Sequence, residues 1–291
     1  VTRSQANGIE LEYDAFGDPA APALLLVMGL GMQLIAWRPE FCDRLARRGF
    51  HVIRYDNRDA GLSTRFDELP DPDLGALLGG DRSGVPYLLE DLAADAAGLL
   101  DSLGIARAHV VGVSMGGMIV QELLIRYPGR IASACSTMST TGDRTVGRPT
   151  PEALTALLAP RATEREAAIE RSFMMLRLLS SPAYSEPDEL LRLRATEAYD
   201  RAYHPAGTLR QLAAIIGSPD RTESLRSVRV PTLVVHGDAD PLIDVSGGRA
   251  TAAAIPGSEL LVLPGMGHDL PQALWDTYID AIAANAKAAQ G

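Results

Sequence analysis

The residues with the clearest chemical potential are Gly112-Val113-Ser114-Met115-Gly116, a GxSxG pentapeptide. It stands where the apolar run Ala108-His109-Val110-Val111 gives way to Gly117-Met118-Ile119-Val120-Gln121-Glu122-Leu123-Leu124, which reads as a buried helix. A strand that turns sharply into a helix strains the residue at the turn, and flanking glycines leave room for that backbone. The serine hydroxyl is then held out of the fold at the positive end of a helix dipole. Serine needs this help, because its unassisted hydroxyl is a poor nucleophile. The pentapeptide alone says little, since Gly and Ser are common. Within a strand-turn-helix it is a specific signal. The competing reading is a glycine-rich turn with an incidental serine.

A nucleophilic serine needs a base and an acid, in the chain order Ser, then Asp or Glu, then His. Val230-Pro231-Thr232-Leu233-Val234-Val235 reads as a buried parallel strand that ends in the turn His236-Gly237-Asp238-Ala239-Asp240-Pro241. Leu260-Leu261-Val262-Leu263 reads as a further strand and runs into Pro264-Gly265-Met266-Gly267-His268. Catalytic groups in open α/β sheets gather at the carboxyl ends of strands. Of the five histidines, His268 alone sits on a post-strand loop with glycines around it, and it is the expected base. His51, His109, His204 and His236 read as packing or surface residues. Asp240, pinned by Pro241, is preferred as the acid. Asp238 then reads as a solvated turn residue.

The oxyanion that forms during acyl transfer needs two backbone donors. One is expected from the N–H after the nucleophile, that of Met115. The other is expected from Leu30, in the loop Met28-Gly29-Leu30-Gly31 that follows the strand Ala23–Val27. Removing one such donor typically costs about 3 kcal/mol of transition-state stabilisation. The competing reading is an ordinary glycine loop.

These groups must be positioned by a sheet, and the rest of the chain supplies one. Asn7-Gly8 signals a type I′ hairpin turn, followed by the alternating Ile9, Leu11 and Tyr13. Strands are then expected at Ala23–Val27, Phe50–Tyr55, Ala106–Val113, Ile131–Met138, Val230–Val235 and Glu259–Leu263. Helices are expected at Leu34–Arg48, Leu88–Leu103 and Leu270–Ala289. The alternation predicts an α/β fold with eight strands in a mostly parallel sheet, covered by helices on both faces. From about Ser139 to Ser227 no strand candidate appears, and helical periodicity recurs between prolines. The expected organisation is a core of residues 1–138 and 228–291, with an all-helical cap of residues 139–227 inserted after the sixth strand. Met138, Phe173, Met175 and Leu242 are candidates to line a substrate pocket. For Phe173 and Met175, packing of the cap onto the core is the preferred reading.

Composition narrows the partners. The 291 residues carry a formal net charge of −10, which argues against nucleic-acid backbones and anionic membrane surfaces. Cys42 and Cys135 form no metal-binding or CxxC spacing and read as free thiols. The longest apolar stretch, from Ala20 to Met32, is too short to span a bilayer. No basic n-region followed by an apolar h-region opens the sequence, and the expectation is a cytoplasmic protein. The sequence begins without an initiator Met, so a signal cleaved ahead of Val1 stays open. No metal or cofactor motif is found, and monomer and homodimer are equally compatible.

Taken together, these residues resemble the α/β-hydrolase fold superfamily in its helical-cap branch, most closely the aclacinomycin methylesterase-type carboxylesterases. The resemblance is carried by Leu25-Leu26-Val27-Met28-Gly29, by His51-Val52-Ile53-Arg54-Tyr55-Asp56 and by Arg58-Asp59-Ala60-Gly61-Leu62-Ser63-Thr64. It continues through Ala108 to Gly116 and Gly265-Met266-Gly267-His268. It covers the core and is weak through the cap. It implies Ser114, Asp240 and His268 as a triad, with Leu30 and Met115 as oxyanion donors. Met28-Gly29 departs from the commoner His-Gly, and Arg58-Asp59-Ala60-Gly61 from Arg-Gly-x-Gly. Leu30 stands where the methylesterases are expected to carry glycine.

The expected activity is cofactor-independent hydrolysis of a carboxylic ester, methyl esters included, of a small apolar molecule through an acyl-enzyme. Two rivals remain at this stage. One is a cofactor-free haloperoxidase or perhydrolase using the same triad. The other is a small-molecule receptor with vestigial hydrolase activity.

Overall fold

Successive residues of a strand face opposite ways, and the third strand shows what that does here. Leu24 and Leu26 join an apolar cluster with Phe41, Leu45, Trp275 and Ile279, whereas Leu25 and Val27 join another with Leu92, Ala96, Ile119 and Leu123. A strand buried on both faces is what a parallel sheet sandwiched between helices requires. The computed structural model describes residues 2–160 and 162–289. Val1, Arg161, Gln290 and Gly291, which the expected domain ranges include, lie outside them.

The chain opens with the hairpin β1 (Thr2–Ala6) and β2 (Ile9–Phe16). Asn7 and Gly8 both have positive φ, as a type I′ turn demands. The other strands are β3 (Ala23–Val27), β4 (His51–Tyr55), β5 (Ala108–Val113), β6 (Ile131–Thr137), β7 (Thr232–Gly237) and β8 (Glu259–Leu263). The eight lie in the order β1-β2-β4-β3-β5-β6-β7-β8. Only the β1–β2 and β2–β4 pairs are antiparallel. From β4 to β8 every pair is parallel, so β3, β5, β6, β7 and β8 all release their following loops at one edge.

Helices α1 (Pro39–Arg47), α2 (Leu74–Leu78), α3 (Leu89–Ser102) and α4 (Met115–Arg126) precede β6. Between β6 and β7 lie α5 (Pro151–Leu158), α6 (Arg165–Leu179), α7 (Asp188–Arg201), α8 (Pro205–Gly217) and α9 (Thr222–Leu225), with no strand among the described residues. The all-helical insertion after the sixth strand is therefore present. Helix α10 (Ser246–Ala254) connects β7 to β8, and α11 (Trp275–Ala288) closes the chain. No helix of the described residues is long and apolar enough to cross a membrane.

Several boundaries depart from the sequence reading for identifiable reasons. The helix expected over Leu34–Arg48 is a 3₁₀ turn at Leu34–Ala36 followed by α1, which starts at Pro39. Proline lacks the N–H that a continuing helix would use but fits the first helical position, and it holds Arg38 extended. The closing element expected from Leu270 starts only after Pro271, as a 3₁₀ turn at Gln272–Leu274 that leads directly into α11. The seventh strand starts after Pro231 and runs on through His236 to Gly237. Helices α2 and α10 escape the periodicity reading. The first is one short turn. The second begins Ser246-Gly247-Gly248, a poor helix-forming start.

Candidate active site

Ser114 follows β5 and caps α4 with φ 57° and ψ −122°, a conformation that side chains other than glycine rarely adopt. Holding a residue there costs of order 1–3 kcal/mol and needs its neighbours to enforce it. Ser114 N–H donates to the Thr137 carbonyl at 2.9 Å, and its own carbonyl accepts from Gly117 N–H at 2.9 Å and Ser139 Oγ at 2.9 Å. Its side chain makes no capping bond to the helix, so the hydroxyl is left for other use. A Cβ on Gly112 would enter the Gly116 backbone, and one on Gly116 would enter the Val27 carbonyl. The two glycines of the pentapeptide thus let β3, β5 and α4 close up around the turn.

Asp240 and His268 meet at the same edge of the sheet, from the loops after β7 and β8. His268 Nδ1 lies 2.7 Å from Asp240 Oδ2. The other carboxylate oxygen accepts the Leu242 and Ile243 N–H groups, both at 2.8 Å. Burial would push Asp240 up, but the His268 ring, His236 and the Ile243 N–H outweigh it and hold this carboxyl well below the usual carboxylate range. An ionised carboxylate only accepts, so the proton between them resides on Nδ1, and in the neutral ring Nε2 is the lone-pair nitrogen. Among the described residues no hydrogen bond joins Ser114 Oγ to that ring. Catalytic hydrogen bonds often close only in the substrate complex.

His236, read from the sequence as packing or surface, also reaches Asp240. Its Nε2 lies 2.7 Å from the Ile243 carbonyl and 3.5 Å from Asp240 Oδ2. A carbonyl cannot donate, so Nε2 carries the proton and gives its one N–H to the Ile243 carbonyl, with the Asp240 carboxylate alongside. Asp238 is exposed but not simply solvated. Its Oδ1 accepts the Gly265 N–H at 2.6 Å and ties down the loop that carries His268.

The loop after β3 approaches Ser114 from the other side. A Cβ on Gly29 would lie 3.2 Å from Ser114 Cβ, so Gly29 sits directly against the serine. The N–H groups of Leu30 and Met115 have no acceptor among the described residues. Two residues that sequence reasoning missed hold this loop. Asn57 Nδ2 donates to the Met28 carbonyl at 2.9 Å, and Gln211 Oε1 of α8 accepts the Gly31 N–H at 2.8 Å. Gln211 Nε2 donates to the Arg58 carbonyl at 2.7 Å.

The pocket candidates land in different places. Met138 has φ 43° and is buried in the cluster of Met28, Val113 and Met266. Leu242 is half-buried against the cluster that includes Met118 and Ile243. Met175 is half-buried on α6. Phe173 packs α6 on α7 with Leu191 and Ala195, and the Arg192 guanidinium covers its ring at 3.8 Å. Phe173 therefore packs within the insertion, not against the core. No group of three or more His, Cys, Asp or Glu side chains placed to hold a metal occurs among the described residues.

The chain also has counterparts among known proteins over nearly its whole length. The family described as alpha/beta hydrolase fold matches residues 22–271. The chain belongs to that family. Rhodomycin D methylesterase DauP of Streptomyces sp. (strain C5) is 30% identical over 305 residues, covering 97% of this chain and 96% of its own length. Rhodomycin D methylesterase DnrP of Streptomyces peucetius is 31% identical over 305 residues, with the same coverage of 97% and 96%. The enol-lactonase from Burkholderia xenovorans LB400 shares the α/β-hydrolase fold at a TM-score of 0.75 and 24% identity, covering 98% of this chain and all (100%) of that one. The methylesterase resemblance read from the sequence is thus borne out. This kinship within the α/β-hydrolase family supports carboxylic ester hydrolysis.

Asp59, a departure from the commoner family pattern, has a physical account. It has φ 63°, which aspartate tolerates better than most residues. Its buried carboxylate accepts Arg210 Nε and Nη2 of α8 at 2.8 Å each, Tyr87 Oη at 2.7 Å and the Phe66 N–H at 3.0 Å. A glycine there would leave Arg210 buried without this partner.

Proposed function

We propose that the chain is a serine hydrolase that cleaves a carboxylic ester of a small apolar molecule through an acyl-enzyme. The observation that carries this reading is the His268–Asp240 pair at 2.7 Å, on the sheet edge where Ser114 is held at positive φ. Ser114 Oγ attacks the ester carbonyl while His268 Nε2 takes its proton. The Nδ1–H of His268 stays on the bond to Asp240, whose charge stabilises the imidazolium. The oxyanion is received by the Leu30 and Met115 N–H groups. His268 then returns the proton to the departing alcohol, and water activated by the same ring releases the acid. None of these steps calls for a metal or cofactor.

The two methylesterase relatives favour a methyl ester as the scissile group. The helical insertion, residues 139–227, is read as a cap that selects the substrate, because the triad and oxyanion donors treat most esters alike. Met175 and Leu242, both half-buried, remain the proposed wall of the acyl site. Met138 and Phe173 support the fold instead.

A series of esters varied separately in acyl length and in alcohol, run on purified protein, tests the reading. Turnover of esters with a preference for methyl over bulkier alcohols is expected. A single stoichiometric release of alcohol with no further turnover would overturn it in favour of a binding protein.

A further inference from the structure

The loop that presents His268 is soft by composition and firm in the structure. Gly265 has φ 69°, and Gly267 lies so close to the segment after α6 that a Cβ there would be 2.6 Å from the Leu179 carbonyl. The backbone around the histidine is bonded to that segment. His268 N–H donates to the Leu179 carbonyl at 2.8 Å, and Ala183 N–H to the Gly265 carbonyl at 3.3 Å. Gly267 N–H donates to Ser181 Oγ at 2.8 Å. Ser181 is fully buried, and its hydroxyl donates to Asp269 Oδ1, which also accepts the Ser181 N–H at 3.2 Å.

A hydroxyl has one proton to give and lone pairs to receive. Ser181 uses both functions across the base, receiving from the residue before His268 and giving to the residue after it. We propose that Ser181 and Asp269 are positioning residues for His268, forming a clasp through which the helical insertion fixes the ring against Asp240. This rests on the reading of His268 as the base. The clasp is needed because the loop has two glycines and its remaining anchors, the Asp238 carboxylate on the Gly265 N–H and backbone bonds to Ala239, Leu179 and Ala183, leave the residues before and after His268 untied to one another. Losing the clasp leaves the fold but lets the ring drift, and a displacement of about 1 Å in a catalytic group costs on the order of 100-fold in rate.

The test uses the full chain and p-nitrophenyl acetate, with Ser181→Ala, Ser181→Thr, Asp269→Ala, the Ser181→Ala/Asp269→Ala double variant, and His268→Ala. Each folded variant is checked by near-UV circular dichroism. The clasp predicts that Ser181→Ala lowers kcat by about 10- to 100-fold with KM unchanged. Ser181→Thr, which keeps the hydroxyl, restores most of the loss. Asp269→Ala lowers kcat similarly, and the double variant loses no more than either single one, since the two act as a unit. If Ser181→Ala does not fold, the Asp269→Ala and Ser181→Thr rates carry the test. An unchanged kcat in folded Ser181→Ala or Asp269→Ala, with His268→Ala inactive, would overturn the clasp and leave the base assignment standing. Additive losses in the double variant would also overturn it. Full activity in His268→Ala would instead overturn the base assignment itself.

Discussion

Gln211 of the helical insertion accepts the Gly31 N–H at 2.8 Å, bridging to the loop whose Gly29 sits against Ser114. Its orientation is fixed by its partners. An N–H can only donate to Oε1, and the Arg58 carbonyl can only accept from Nε2. Replacing Gln211 with Leu removes both bonds and frees the loop. The expected result is a fall in kcat with little change in KM, approaching the loss of about 3 kcal/mol seen when an oxyanion donor is removed outright. Steady-state kinetics on a short-chain ester check this, and a change confined to KM would place Gln211 in substrate binding instead.

Arg210 is buried on the same helix and gives two hydrogen bonds to the buried Asp59 carboxylate. Removing one partner of such a pair leaves the other charge buried and uncompensated. Arg210→Met should therefore destabilise the protein by about 3–5 kcal/mol. Denaturant titration measures the loss, and limited proteolysis should find the new cleavage sites within residues 139–227.

The same carboxylate sets a pH signature. Burial opposes ionisation of Asp59, but Arg210, His204, the Phe66 N–H and Tyr87 overcome it and hold the group well below the usual range. A depressed folded value means stability that is full above the unfolded value, near 3.9, and is lost as pH falls towards the folded one. Asp59→Asn should be much less stable than the wild type at pH 7. The gap should shrink as the pH falls below about 4. A gap that stays constant with pH would show that the effect is packing and not charge.

The cysteines should be silent. Burial pushes the Cys42 thiol up to about 12, and burial likewise pushes Cys135 up to about 11. The thiolate is the reactive form, so the native protein should resist aromatic disulfide reagents at pH 8 and keep its esterase activity. Both thiols should react after denaturation. Inactivation by a thiol reagent in the native state would contradict the serine mechanism.

What the sequence makes legible and what it hides follow one rule. Ser114, Asp240 and His268 each follow the end of a strand with its own local punctuation, so type and spacing suffice to nominate them. The sheet is legible for the same reason, because Leu24, Leu25, Leu26 and Val27 are buried on both faces and leave a continuous apolar run. Gln211 and Ser181 act on loops far away in sequence, Gln211 on a residue 180 positions distant. Nothing local marks such a glutamine or serine, and only the packed insertion brings them to the site. His236 had a visible signal in its place at the end of a strand four residues before Asp240. Its contact still depends on the turn that brings Nε2 to the Ile243 carbonyl and beside Asp240. Helix α10 is hidden by Gly247 and Gly248, and the reason for Gly248 is tertiary, since a Cβ there would strike the His236 ring.

The central claim is that Ser114 forms the covalent intermediate. Intact-protein and peptide mass spectrometry after treatment with a fluorophosphonate, on the wild type and on Ser114→Ala, tests it most directly. One adduct on Ser114 in the wild type is predicted. Ser114→Ala should show no adduct and no ester turnover, with an unchanged circular dichroism spectrum. An adduct on another residue, or turnover surviving in Ser114→Ala, would contradict the account.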